Sequence, residues 1–184
     1  MLNRNSAIKE NYKIGKYPFE ENIQIIFSEN YNLIIQQIAA WPDEISKIEK
    51  FFFDQVGIQQ KIDFNRGEII KNNSLWRMEP LKWWLIGCTI DLPENLGTSL
   101  ELSHAFTSIM IDGEKSKILL NRHLPLDLRL ENFPINSSAS SAIHHVSVKL
   151  FRLSKKNLIF LSQEVLLYLF GKFYLNQHLN LDMK

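Results

Sequence analysis

The sequence has little cysteine and little glycine, and each shortage excludes a class of protein. Cys88 is the only cysteine among 184 residues, so no disulfide can form within the chain, which fits a reducing cytoplasm. Its apolar surroundings favour a buried, inert thiol, because a reactive thiolate needs a cationic neighbour. The seven glycines are scattered and form neither a Gly-x-Gly-x-x-Gly motif nor a phosphate-binding loop. An independent dinucleotide-binding domain is therefore not expected.

The chain also lacks an excess of charge and a segment that could enter a membrane. Lysine and arginine number 21 against 20 acidic residues, a net charge of +1, so no general attraction to nucleic acid or anionic lipid is expected. The N-terminus has no apolar core typical of a signal peptide. The apolar run Val165–Phe170 is far shorter than the roughly 20 residues that span a bilayer. We expect a cytoplasmic protein that binds neither nucleic acid nor membrane.

What the sequence does contain is typical of a globular domain. Hydrophobic residues make up 45% and charged residues 22% of the chain, and a chain of this length buries roughly 70% of its unfolded surface. Residues 1–20 are polar and are predicted to form an N-terminal arm. Residues 21–184 are predicted to form a single domain of two lobes, at about 21–97 and 98–184.

The first half predicts strands around one helix. Asp43 is a candidate N-cap, and Gly57 is placed to end the helix. Apolar residues lie on one stripe of it at helical spacing: Ile45, Ile48, Phe52 and Val56. The predicted strands are Asn22–Phe27, Asn32–Ala39, Glu68–Lys71, Ser74–Met78 and Lys82–Gly87.

The second half repeats this order. Thr98–Ile111 is predicted to be one long strand, followed by a short helix over Glu114–Asn121 with Ile118 and Leu119 inward. Ser141–Arg152 and Asn157–Leu161 are predicted to form a hairpin, and Gln163–His178 a final amphipathic helix. The repeated order predicts an α+β fold of two related split βαβ lobes with mixed or antiparallel sheets.

Two pairs of adjacent polar residues suggest chemistry only weakly. His144-His145 and Ser103-His104 each lie in a predicted strand, where neighbouring side chains point to opposite faces. The two histidines therefore cannot share a metal ion there, and Ser103 lacks the Gly-x-Ser-x-Gly turn of a nucleophile. We expect Ser103 to satisfy backbone groups at the strand edge.

Asp127 and the tryptophan pair complete the candidates. Asp127 is expected to cap a turn or to pair with Arg129, and a ligand contact remains open. Trp83 and Trp84 should face opposite ways on their strand, so the outward one is a candidate interface anchor. A two-layer core that covers both is the equal alternative. No catalytic, cofactor-binding or metal-binding residue is predicted.

Several short motifs, taken in order, resemble one family over roughly residues 75–175. They are Pro80-Leu-Lys-Trp83-Trp-Leu85, Glu101-Leu-Ser103-His104, Gly113, Pro125-Leu-Asp127-Leu128 and the aromatic-rich Leu167–Tyr174. The family is the gamma subunit of heterotetrameric sarcosine oxidase, within the aminomethyltransferase and folate-binding superfamily. Glu101 stands where that family usually has Asp, and the region before Leu33 has no counterpart.

The resemblance implies a non-catalytic subunit of a flavoenzyme. Sarcosine oxidase demethylates sarcosine to glycine oxidatively and passes the one-carbon unit to tetrahydrofolate. The resemblance implies alpha, beta and delta partner subunits, with alpha as the main contact. It places FAD, FMN, NAD and zinc in those partners. Aminomethyltransferases carry a Gly-Gly-x-x-Asp-Asp hairpin where this chain has Ser140–His145, without a carboxylate. The alternatives are a stand-alone tetrahydrofolate-binding protein of the same superfamily and an unrelated interaction module.

Overall fold

The computed structural model describes residues 15–20, 23–30, 32–143 and 146–163. In these ranges the chain forms eleven strands and two α-helices. The strands are β1 Gly15–Glu20, β2 Ile23–Asn30, β3 Ile35–Ala40, β4 Arg66–Ile70, β5 Asn73–Glu79, β6 Lys82–Ile86, β7 Gly97–Glu101, β8 Phe106–Asp112, β9 Ser138–Ile143, β10 Val146–Arg152 and β11 Asn157–Gln163. The helices are α1 Ile45–Gln55, preceded by a 3-10 turn at Pro42–Glu44, and α2 Ser116–Asn121.

The strands form two antiparallel sheets. The large sheet has the order β1-β2-β8-β11-β10-β9, and the small sheet has the order β4-β5-β6-β3-β7. Every pairing between these strands is antiparallel. Antiparallel sheets with few helices are an α+β arrangement, so the predicted α+β class with antiparallel sheets is confirmed. The two related split βαβ lobes and the likeness to the folate-binding superfamily stay predictions.

The two sheets do not follow the predicted boundary near residue 97. β2 pairs with β8, where Ile26 lies opposite Asp112, so an early strand completes the sheet of the second half. β7 pairs with β3 and belongs to the small sheet. The last six residues of the predicted arm, Gly15–Glu20, form β1 and pair with β2.

Two predicted strands are each divided in the structure. The single strand over Thr98–Ile111 is wrong, because a turn at residues 102–105 separates β7 in the small sheet from β8 in the large one. In this turn the Ala105 N–H donates to the Leu102 carbonyl oxygen at 2.9 Å. The single strand over Ser141–Arg152 is also wrong, since β9 and β10 run antiparallel with Ile143 opposite Val146.

Helix α1 follows its predicted stripe. Ile48 and Phe52 are buried, and Ile45 and Val56 pack at their side. Gly57 ends the helix with a φ of 80°, a conformation that glycine adopts without steric cost. The predicted N-cap at Asp43 is wrong, because a 3-10 turn starts after Trp41 and no side chain caps either helix start.

Three apolar layers hold the fold together. The first lies between α1 and the small sheet, where Phe52 meets Trp83. The second lies between the sheets, where the T-shaped pair of Trp76 and Phe151 has its ring centroids 5.0 Å apart. The third lies on the outer face of the large sheet, which α2 covers with Leu119 and Leu120. Leu119 faces inward as predicted, but the second inward-facing apolar residue is Leu120 and not Ile118.

Some predicted features lie outside the described residues. These are His144, His145, residues 1–14 of the arm and the final helix beyond Gln163, the residue that ends β11. In the ranges that the structure does describe, neither helix is long and apolar enough to cross a membrane.

Candidate functional site

Ser103 lies in the turn where the chain passes from the small sheet to the large one. Its hydroxyl oxygen accepts the Ile35 N–H at 3.0 Å, while the Leu102 N–H donates to the Ile35 carbonyl oxygen at 2.8 Å. The hydroxyl thereby extends the β3–β7 ladder beyond the last strand residue. The prediction that Ser103 satisfies backbone groups at the strand edge is confirmed. The prediction that Ser103 and His104 lie in a strand is wrong, and His104 is exposed.

Glu101 supports the same turn from the strand side. Its Oε1 accepts the Ser103 N–H at 3.2 Å. Hydrogen bonding from Ser103 is the main cause that lowers the pKa of Glu101, and the charge of His104 lowers it further. The carboxylate at the end of β7 is therefore anionic at neutral pH.

Asp127 is held on both carboxylate oxygens. Oδ1 accepts the backbone N–H of Arg129 at 3.0 Å, and Oδ2 accepts the Arg129 Nε–H at 2.9 Å and the Asn132 amide at 2.6 Å. Bonds from Arg129 and Asn132 hold the pKa of Asp127 well below its usual value. The predicted turn and ion-pair role is confirmed. A ligand at this carboxylate would have to displace these donors.

Arg152 is a structural residue that the sequence did not reveal. It is fully buried; its Nη2 donates to the Leu128 carbonyl oxygen at 2.6 Å, and its guanidinium lies 5.5 Å from the centre of the Phe133 ring. Burial lowers the pKa of this guanidinium. The sequence signal that could have predicted this burial is the alternation along β10. Val148, Leu150 and Arg152 occupy alternate positions, so their side chains face the same side of the strand.

The tryptophan pair is buried on both faces of β6. Trp83 is 1% and Trp84 3% exposed. Trp83 packs against Phe52, with ring centroids 5.6 Å apart, and Trp84 against Phe106 at 5.0 Å. The predicted outward indole is not observed, since α1 covers one face of the small sheet and the large sheet covers the other. Neither residue can serve as an exposed interface anchor.

The exposed tryptophan is instead Trp41, between β3 and α1. Its side chain is 47% exposed, and its Nε1–H donates to the Glu94 carbonyl oxygen at 2.8 Å. Its backbone N–H donates to the Leu96 carbonyl oxygen at 3.0 Å. Sequence reasoning missed this residue, because a single aromatic before a proline gives no periodic signal.

These side chains define a protein whose described polar residues mainly hold turns and strand ends in place. In the part of the chain that the structure describes, no group of three or more His, Cys, Asp or Glu could hold a metal ion. The polar bonds described above hold turns and loops in place. The two packed antiparallel sheets make the molecule an α+β protein.

One solved structure gives this fold a known counterpart. It is a chain of heterotetrameric sarcosine oxidase from Corynebacterium sp. U-96, solved in complex with pyrrole 2-carboxylate. The TM-score is 0.65 at 15% sequence identity, and the alignment covers 78% of this chain and 77% of that chain. At this identity the likeness shows the fold alone. No family model and no curated protein matches the chain.

Proposed function

We propose that this chain is a non-catalytic subunit of a heterotetrameric oxidase of the sarcosine oxidase type, in the place of the gamma subunit. The observation that carries the proposal is the two-sided coverage of the structural match, 78% of this chain and 77% of the other. Nearly equal shares mean that the matched chain has a similar length. The likeness therefore extends over about three quarters of a chain of similar size, which favours a small subunit over one domain of a large chain.

The polar residues support the same proposal. Ser103 accepts a backbone N–H of β3, and Asp127 is engaged by Arg129 and Asn132. A general acid or base must hold a titratable group within hydrogen-bond reach of a substrate. Ser103 and Asp127 use their hydrogen bonds to hold the fold in place. We therefore propose that the chain acts in the assembly of the complex.

The proposal includes partners that supply the chemistry. The alpha subunit would be the main contact, with the beta and delta subunits completing the complex. FAD, FMN, NAD and zinc would belong to those partners and not to this chain. The assembled complex would demethylate sarcosine to glycine oxidatively and pass the one-carbon unit to tetrahydrofolate.

The alternative of a stand-alone tetrahydrofolate-binding protein gains no support from a described residue. Its main candidate was Asp127, whose two oxygens accept four hydrogen bonds from Arg129 and one from Asn132. Titration with tetrahydrofolate, followed by tryptophan fluorescence, measures directly whether the chain binds this molecule. We expect a flat response.

The test of the proposed function is co-purification from the native organism. The full chain is tagged and purified, the eluate is scanned for flavin absorbance, and its proteins are identified by mass spectrometry. We expect a yellow eluate that contains a large flavoprotein and shows sarcosine-dependent oxidation. Colourless protein without a flavoprotein partner would contradict the proposal.

A further inference from the structure

Strand β7 has an open edge. It lies last in the small sheet and pairs with β3, and its residues from Thr98 to Glu101 are all exposed. Hydrogen bonding alternates along an antiparallel pair. Because Leu102 and Leu96 bond to the β3 side, the backbone groups of Gly97, Ser99 and Glu101 point away from β3. In the described part of the chain, no strand takes up these donors and acceptors.

Within the described ranges, this edge has no lysine, proline or bulge that would protect it against pairing. Natural sheets cover or blunt their edges with lysine, proline or a bulge. The sequence of β7 is Gly-Thr-Ser-Leu-Glu, and its pairing with β3 runs without a register shift. Such an edge is a template for an added strand.

Two apolar side chains stand beside the edge on one face of the small sheet. Leu100 is 56% exposed and lies opposite Gln37. Trp41 continues the alternation of Gln37 and Ala39 in an extended conformation, which puts it on the same face. The hydrogen bond from its Nε1–H to the Glu94 carbonyl oxygen holds the indole in place, so binding would cost little side-chain entropy. Ordered, exposed tryptophans are typical anchors of protein interfaces.

The segment that forms and flanks the edge carries charge of one sign. Residues 88–105 contain Asp91, Glu94 and Glu101 but no lysine or arginine. All three acidic residues are exposed. A segment that carries lysine or arginine would complement them, since opposite charges across an interface favour association and fix its register.

We propose that β7 is a docking edge, where an extended segment of the partner subunit adds a sixth strand to the small sheet. The segment would place a lysine or arginine beside Glu101 and separate apolar side chains against Leu100 and Trp41. This inference rests on the proposed function for the identity of the partner. A second copy of this chain is the weaker occupant, because a five-residue edge falls short of the roughly 1,200 Å² that stable interfaces bury.

The test compares proline and alanine at Ser99. Ser99→Pro removes an outward N–H that the β3 ladder does not use, whereas Ser99→Ala keeps it. The probe is the purified flavoprotein partner obtained in the co-purification, and its Kd for each full-length variant is measured by surface plasmon resonance. We expect Ser99→Pro to raise the Kd about tenfold or more, because it leaves a carbonyl of the added strand unpaired. Ser99→Ala should stay within about twofold of the unmodified chain.

A second pair of variants guards against a folding defect. Leu100→Lys replaces an apolar side chain at the docking edge with a positive charge that repels a basic segment, and Ile69→Lys puts the same charge at an exposed position of β4, across the same sheet. We expect only Leu100→Lys to weaken binding by a similar factor. Thermal unfolding of all four variants checks that each is folded.

The possible results separate the two proposals. If the unmodified chain binds no flavoprotein partner, the proposed function fails, and the partner segment proposed to bind at β7 fails with it. If it binds and neither Ser99→Pro nor Leu100→Lys weakens the binding, the docking edge is wrong while the proposed function stands. If the unmodified chain alone is a dimer by light scattering and Ser99→Pro makes it a monomer, the edge belongs to a second copy, which also overturns the inference.

Discussion

At the scale of single residues, a missing side chain at Gly67 allows Trp76 to pack. Gly67 lies opposite Trp76 in the β4–β5 pair, and a Cβ at this position would stand 2.2 Å from Cε3 of the indole. Trp76 is fully buried, so the ring cannot move aside freely. We expect Gly67→Ala to lower the free energy of unfolding by about 2–3 kcal/mol, the upper part of the roughly 1–3 kcal/mol range of overpacked cores, measured by urea denaturation.

Gly57 provides the matched control for Gly67. It has a φ of +80°, and nothing lies within 4 Å of a Cβ built there. Gly57→Ala should therefore cost only the backbone strain, about 1 kcal/mol. Equal losses in the two variants would show that contact with Trp76 is not the cause.

Asp127 predicts a dependence of stability on pH. Its pKa in the folded chain lies below the ordinary value of 3.8, chiefly through hydrogen bonds from Arg129. A carboxyl group with a lowered folded pKa stabilises the fold above its unfolded pKa, and this contribution is lost as pH falls. We expect Asp127→Asn to be less stable than the unmodified chain at pH 6, and the difference to shrink towards pH 2. Urea midpoints at both pH values measure it.

The control for this pH effect is Asp91→Asn, a change at an exposed acidic residue in the loop before β7. In Asp91→Asn, the urea midpoint should change between pH 6 and pH 2 by about as much as it does in the unmodified chain. A constant gap between Asp127→Asn and the unmodified chain at every pH would remove the titration of Asp127 as the cause.

At the scale of elements, the turn at residues 102–105 decides how the two sheets are joined. Ile35 is fully buried, and its N–H has the Ser103 hydroxyl as its acceptor. Ser103→Ala removes that acceptor, and a buried donor left unpaired costs about 1–3 kcal/mol. We expect a loss in this range by urea denaturation. His104→Ala, at the exposed neighbour, should change stability by less than about 0.5 kcal/mol; similar losses in both would assign the effect to the turn as a whole.

The same turn shows how far the sequence could predict the elements. Helix α1 was predictable because its apolar spacing is local and its stop signal, Gly57, lies next to it. The turn within 98–111 was not, because Leu100, Leu102, Phe106 and Met110 keep one parity on both sides of it. Parity reports the face of a residue but not the sheet to which a strand belongs. The pairing of β2 with β8 depends on contacts some 80 positions apart, which no local pattern records.

The candidate site divides in the same way. The pairing of Asp127 with Arg129, two residues away, follows from local turn chemistry and was predictable. For Ser103 the sequence predicted a bond to backbone at a strand edge, but not its partner Ile35, which lies 68 positions away. Burial of both Trp83 and Trp84 depends on two covering layers that come from distant parts of the chain. An edge strand has a neighbouring strand on one side only. The open edge of β7 can therefore be recognised only once the strand order of the sheet is known.

At the scale of the whole molecule, the layer between the sheets should make them unfold together. Trp76 and Phe151 meet across this layer with ring centroids 5.0 Å apart, and both are fully buried. All four tryptophans lie in the small sheet or directly after β3, so their fluorescence reports on that sheet, whereas far-UV circular dichroism reports on both. Phe151 belongs to β10 of the large sheet.

We therefore expect Phe151→Ala to move the fluorescence and circular dichroism midpoints by the same amount in urea. The loss should be about 3–5 kcal/mol, the cost of truncating a buried phenylalanine. Phe53→Ala, at a partly exposed position of α1, should move both midpoints only slightly. If Phe151→Ala shifted circular dichroism while fluorescence kept its midpoint, the sheets would be separate folding units. The docking edge on the small sheet would then be coupled only weakly to the rest of the chain. Coincident shifts make the two sheets one cooperative body, in which a strand added at β7 stabilises the large sheet as well.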